Sequence, residues 1–454
     1  MPAESGTEGH AQFWWAENVS ADHHACNVDV YDASLDVYRP DIYKTISETI
    51  SGIDHELRLL SLDIHSHPEL KFQETYAHDT LTAFMEKKGW DVKKHYHLDT
   101  AWVATFSHGN GGRVLGVNSE MDALPGIGHG CGHNLIAIAG VAVAIAVKAA
   151  LIKYDIPGKV ILLGTPAEEG GQGKVMLLEK GAYEEMHACL MCHPAPGPER
   201  GASLSSSLSL QRLSVEYRGH TAHAALSPWQ GQNALDAAVA AYTNVALLRQ
   251  QVKPSHRIHG VFEGKDWAAN IIPDNAKMLC GLCTFFLVVP LTTYSWYVRA
   301  PTVAEVRELD PRVQACFQAS ALATGCNIEI SGMETPVHDL RQNKALGETF
   351  SRIFRSKTGP VDHEWGISSA STDFGNVTYA LPSIHPGFSI PTEPNGGNHT
   401  PAFTSAAATP EAHQACLEVC KALALTGLRV IQDDQFYSEV RVAFEKDTAI
   451  SQVA

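Results

Sequence analysis

Positive charge is in short supply in this chain: its 454 residues carry 34 Lys and Arg against 50 Asp and Glu, a formal net charge of -16. A surface so poor in cations offers little to a phosphate backbone or an anionic bilayer, so neither nucleic acid nor membrane is expected as a partner. Long apolar runs are scarce too. The stretch from Leu135 to Val147 is uninterrupted for only about 13 residues, the length of a buried core helix. A second stretch, Gly281 to Val298, contains Pro290 and several Thr and Ser residues and fails as a spanning helix. The N-terminal MPAESGTEGHAQFWWAENVS shows no basic segment leading into an apolar one, so a cytoplasmic chain is expected. Ten cysteines in that setting read as reduced thiols rather than a disulfide framework.

What is present is globular: 44% hydrophobic and 19% charged residues, in a chain long enough for two domains. Residues 1–40 are irregular. Apolar residues at helical spacing predict an amphipathic helix over Ile42 to Leu62, and a further helix fits Thr75 to Lys88. Strand-like runs at Ala101 to Phe106 and Arg113 to Asn118 flank the turn His108-Gly109-Asn110-Gly111-Gly112. The apolar helix from Asn134 and the strand Lys159 to Gly164 follow, an alternation that implies a sheet with helices on both faces. From about Leu208 the pattern changes. Strands at Gln211 to Arg218, Arg257 to Glu263, Asn270 to Cys280, Trp296 to Arg299 and Asn327 to Ser331 accompany helices at Asn233 to Gln251 and Val303 to Thr324. This reads as an α+β layer over 208–335, inserted between 41–207 and 336–454, with a final helix around Pro410 to Val430.

Four short segments carry the chemistry. In the first, Glu120-Met121-Asp122 leads through a glycine-rich turn to Cys131-Gly132-His133-Asn134, where a thiol and an imidazole two residues apart can converge on one cation. A glycine turn with a buried thiol and a capping Asn134 is the plainer reading. In the second, Glu168-Glu169 follows a buried strand, so that one carboxylate can bind metal while its neighbour acts as a base. A solvated acidic loop would look the same. The nearby Gly171-Gln172-Gly173-Lys174 lacks the upstream Gly and the Ser or Thr of a phosphate loop. His193 ends an apolar strand and His399 lies in a polar turn; each alone is an ordinary structural histidine, but with the first two segments they complete a ligand set. A zinc-ribbon pairing of Cys189 and Cys192 with Cys280 and Cys283 fails, because strand residues three apart face opposite sides.

Together with His65-x-x-Pro68-Glu69-Leu70, Asp122-Ala-Leu-Pro125, Gly219-His220-Thr221-Ala222-His223 and Ser371-Thr372-Asp373-x-Gly375-Asn376, these segments resemble metallopeptidase family M-twenty, in its amidohydrolase branch. That branch includes hydrolases of β-alanyl dipeptides, aminobenzoyl-glutamate and auxin conjugates. The resemblance runs from about Ile42 to Leu428. It implies an α/β, zinc-exopeptidase-like catalytic domain, a mixed sheet between helices, carrying an inserted α+β lid used for dimerisation. It implies Cys131, His133, Glu169, His193 and His399 as ligands of one or two Zn2+ ions, with Mn2+ or Co2+ as alternatives, and Glu168 with Asp122 in catalysis. His223 would reach the active site of a partner subunit in a homodimer, and Asn270 and Arg299 would hold a substrate bearing a free carboxylate.

The implied reaction is metal-dependent hydrolysis of an amide bond in a dipeptide or N-acyl amino acid. A metal-free Cys131/His133 thiol hydrolase and a silent ligand-binding homologue are the alternatives. Two features depart from the pattern. Glu120-Met121-Asp122 stands where the wider family has His-x-Asp, and Gly281 to Trp296 interrupts the lid, either as an extra hairpin or as an unspliced segment.

Overall fold

A computed structural model describes residues 32–264, 267–279, 296–333 and 335–453. The apolar stretch singled out at 281–296 lies outside these residues, apart from the backbone of Trp296, which opens a strand. Most of the irregular N-terminal segment lies outside them too.

The first layer is a six-stranded mixed sheet. Its spatial order is Asp91–Lys94, Trp102–His108, Gly158–Thr165, Val114–Glu120, Ala188–Leu190 and Ser383–Ile384. The first two pairings are antiparallel and the remaining three parallel. The glycine-rich turn at 108–112 therefore makes no hairpin, because Gly158–Thr165 lies between the strands it joins. Both faces of the sheet are covered, which explains why its central strands read as continuous apolar runs rather than alternating ones. Along Gly158–Thr165, Val160 and Leu162 point into one core while Ile161 and Leu163 point into the other.

The first core is closed by Pro40–Gly52, Asp54–Ser66, His133–Lys153 and Pro410–Gln432. The single helix expected over 42–62 is two helices. Gly52 ends the first, and the Ile53 N–H turns back to Ile50 O. His133–Lys153 is apolar on every side because it is wrapped on every side. It is long and apolar enough to cross a membrane, but 78% of its most apolar window is packed inside the fold. A further helix, Asp434–Val453, follows the one expected to be last; its polar surface hid it from a search for apolar periodicity.

The second layer is antiparallel, and the ten-residue strand Ser209–Arg218 is its hub. It pairs with Asn275–Leu279, Trp296–Ala300 and Asn327–Gly332. Leu213, Val215 and Tyr217 face the helices Ala234–Leu248 and Val303–Thr324, with Tyr217 Oη donating to Phe317 O at 3.0 Å. The single strand expected over 257–263 is two, 257–259 and 261–263, and they pair with different partners.

Candidate metal centre and its acidic surround

Parallel strands deliver their carboxyl ends to one side of a sheet, and that side is where an α/β fold builds its site. Here Val114–Glu120 ends at Glu120, Gly158–Thr165 runs on to Glu168 and Glu169, and Ala188–Leu190 leads to His193. His193 opens a short strand parallel to Gly387–Ser389, which sets its backbone. The fourth contribution comes from 230 residues beyond Glu169: His399 adopts φ +67°, and its N–H donates to Gly130 O at 2.7 Å, pinning the two loops together.

The five expected ligands meet. Donor atoms of Cys131, His133 and His193 lie within 4.8 Å of one another, and so do those of Cys131, Glu169 and His399. Cys131 belongs to both groups, so it sits between two cation-sized positions. Its Sγ is 3.4 Å from His193 Nε2, and Glu169 Oε1 is 3.1 Å from His399 Nε2. His193 Nδ1 is 2.9 Å from Pro194 O, which favours the tautomer that leaves Nε2 for a ligand. Gly132 makes the turn between Cys131 and His133 feasible. Its φ is +77°, and a Cβ there would stand 2.6 Å from Pro194 Cγ.

This donor set suits a divalent ion of the zinc type. Glu169 Oε1 and both ring nitrogens of His133 are buried without an aligned hydrogen bond, which leaves a carboxylate oxygen and one imidazole nitrogen available to a cation. The electrostatics agree. Burial opposes charge on His399, but Cys131 and Glu169 overcome it and raise its pKa to about 11. Burial and Glu169 push the Cys131 thiol up, yet His193 and His399 bring it down to about 6. The cluster thus holds protons where it would hold metal.

Around the donors lies a second, acidic ring. Asp122 Oδ1 and Oδ2 accept from the N–H groups of Glu168 at 3.1 Å and Glu169 at 2.9 Å, and Oδ1 lies 3.3 Å from His133 Nδ1. Asp122 therefore acts on the turn and on the imidazole. Glu120 Oε2 flanks the other side of that ring, 3.3 Å from Nε2. Fully buried Lys174 lies 2.7 Å from Glu120 and 2.6 Å from Asp373. Glu168 is half-buried beside this acid; burial, then Glu120, Glu169 and Asp373, hold its pKa well above the carboxylate range. Sequence reasoning dismissed Lys174 with the phosphate loop and quoted Asp373 only within a motif. A lysine in an otherwise apolar segment was the available signal.

The lid residues stand apart. His223 is exposed; its Nδ1 accepts from the N–H groups of Ala225 at 3.2 Å and Leu226 at 3.1 Å, which turns Nε2 outward. Asn270 is also exposed, its carbonyl accepting from Ala224 N at 3.0 Å. The structure does not bring either into the ligand cluster of its own chain. Arg299 is buried, and its Nη1 donates to Ser371 Oγ at 2.8 Å, joining the lid to the segment that carries Asp373. Sequence reasoning missed Arg212, also on the lid, whose Nη2 donates to Gly170 O at 3.0 Å, beside Glu169.

A mixed sheet with this buried Cys/His/Glu cluster at its strand ends defines a metallohydrolase of the exopeptidase kind. The chain belongs to peptidase family M20/M25/M40, whose model matches residues 116–425, and it is a metal-dependent hydrolase of amide bonds. Among its relatives, Xaa-Arg dipeptidase of Homo sapiens is 38% identical over 88% of this chain and 91% of its own length. A p-aminobenzoyl-glutamate hydrolase polypeptide of Escherichia coli (strain K12) is 26% identical over 90% and 96%. The fold matches a dinuclear metal-binding peptidase of Bacillus subtilis with a TM-score of 0.62, at 18% identity over 84% of this chain and 99% of that one.

Proposed function

We propose that this protein hydrolyses dipeptides that carry a free carboxylate, using Zn2+ held by Cys131, His133, Glu169, His193 and His399. The observation that carries this reading is the meeting of those five donors beside a protonatable Glu168. A bound divalent ion would polarise the scissile carbonyl and make water a stronger acid. The chain's own groups do the rest. Glu168 takes a proton from the attacking water and returns it to the departing amine. Asp122 holds the backbone of that base, and Glu120 with Asp122 fixes the His133 ring between them.

Lys71, Arg212 and Arg299 supply positive charge for the substrate carboxylate. Lys71 Nζ and Arg212 Nη2 converge on Gly170 O, at 3.5 and 3.0 Å, and neither is paired with a carboxylate among the described residues. His223, with Asn270 behind it, completes the oxyanion site of a second copy of the chain. Exposed Leu226, Trp229 and Ile271 around His223 favour a homodimer through the lid. Seven described cysteines are free thiols, in keeping with a cytoplasmic setting.

Xaa-Arg peptides are the first substrates to try. Two relatives 38% and 39% identical are Xaa-Arg dipeptidases, and a chain of net charge -16 attracts a cationic substrate. The test is amine release from Xaa-Arg dipeptides, aminobenzoyl-glutamate and N-acyl amino acids, with and without a chelator. We expect dipeptides to be cleaved fastest and the chelator to abolish turnover. Full activity in chelator, lost on thiol alkylation, would establish the Cys131 hydrolase instead.

A further inference from the structure

The loop that presents Glu168 and Glu169 is bent against the preference of its residues. Ala167 holds φ +58°, the left-handed region that a residue with a Cβ disfavours, and it is fully buried. Three successive amide groups leave this bend, and each is received by a carboxylate. Asp122 takes those of Glu168 and Glu169, as described. The first, Ala167 N–H, donates to Glu74 Oε1 at 2.8 Å.

Glu74 comes from another part of the fold, immediately before the helix Thr75–Lys87. A residue there ordinarily caps its own helix, and this one does not. Glu69 does so instead, accepting from Tyr76 N at 2.9 Å and Ala77 N at 3.0 Å. Glu74 is thereby released to turn inward. Its side chain has no exposure at all, and its second oxygen accepts from Thr100 Oγ1 at 2.7 Å, which sets the carboxylate plane.

We propose that Glu74 is a positioning residue for the hydrolysis: it holds Ala167 in the left-handed bend and so decides where the Glu168 base and the Glu169 ligand point. Without that acceptor, Ala167 N–H would be buried and unpaired, and the bend would relax toward a right-handed turn. The Glu168 and Glu169 N–H groups would then leave Asp122, and the Glu169 carboxylate would swing away from His399. The inference rests on the metal-centre reading above, because it acts through Glu169 as ligand and Glu168 as base.

The test compares E74A, E74Q and T100V in the full chain. Zinc affinity of the stripped protein is measured by competition with a chromophoric chelator, and kcat and KM are measured separately on a dipeptide. E74A should lower both zinc affinity and kcat by about 10- to 100-fold, with KM within about threefold. E74Q keeps an oxygen for the Ala167 N–H and should recover most of both losses. T100V, which only frees the carboxylate plane, should fall between wild type and E74A. Folded E74A with wild-type zinc affinity and kcat would overturn the proposal, and so would E74Q as impaired as E74A. Should E74A not fold, T100V decides, and wild-type values there overturn it. A wild-type chain that binds no zinc would instead refute the metal centre itself.

Discussion

The metal centre and the lid surface around His223 are built on opposite plans. At the centre, five donors arrive on four segments, are anchored by strand ends and backbone hydrogen bonds, and face one another inside the protein. On the lid, His223 is anchored locally, by two backbone N–H groups, and its exposed ring joins no metal-type cluster among the described residues. The contrast teaches that this fold gathers its five metal-type donors and Glu168 within one chain but leaves the His223 imidazole outside that cluster. If His223 serves a second copy of the chain, as proposed, the exposed Leu226 and Trp229 beside it are where that copy would pack.

That division is open to attack, beginning with the largest effect. E168Q should keep the metal while kcat falls by about 10^2- to 10^4-fold, because only the proton carrier is lost. Metal content by elemental analysis with a turnover assay checks this, and E168Q that loses metal would show that base and ligand sites are not separable. Next, H223A should lower kcat by about 10^2-fold and leave zinc affinity untouched. Mixing it with E168Q should restore activity, up to about a quarter of wild-type sites if subunits exchange freely in a dimer. No recovery on mixing would place His223 outside catalysis in trans.

The smallest effect concerns stability. Burial, then Asp122, pushes the Glu74 carboxyl up to about 7 from 4.5. Between these values the folded chain retains a proton that the unfolded chain has released, so stability falls as pH rises across the window, by on the order of 3 kcal/mol in all. E74Q cannot titrate, and a denaturant series from pH 4.5 to 7.5 should show the wild-type slope reduced in that variant. An unchanged slope would mean that Glu74 is charged throughout.

Much of this was legible in the amino-acid sequence. Cys131 and His133 stood out only in company: alone they read equally as a glycine turn with a buried thiol, and the further ligand types at Glu169, His193 and His399 made a cation site the better reading, while Val160 to Leu163 announced a buried strand. Glu74 did not stand out. An acidic residue at a helix start looks like a cap, and nothing local reveals that Glu69 already fills that role. Lys174 was hidden in the same way, since its partners Glu120 and Asp373 lie 54 and 199 residues away along the chain.

Residue types and short-range spacing by themselves determined the chemistry available here: soft and borderline donors, an adjacent pair of carboxylates, an apolar helix with no charge to spare. Those properties live in the side chains and in periodicities of a few residues. Only the tertiary structure decided which donors share Cys131, which carboxylate receives the Ala167 N–H, and that His223 lies outside the donor cluster of its own chain. Each of these depends on where strands and loops distant in sequence come to rest, and distance in space is set by packing, not by order along the chain.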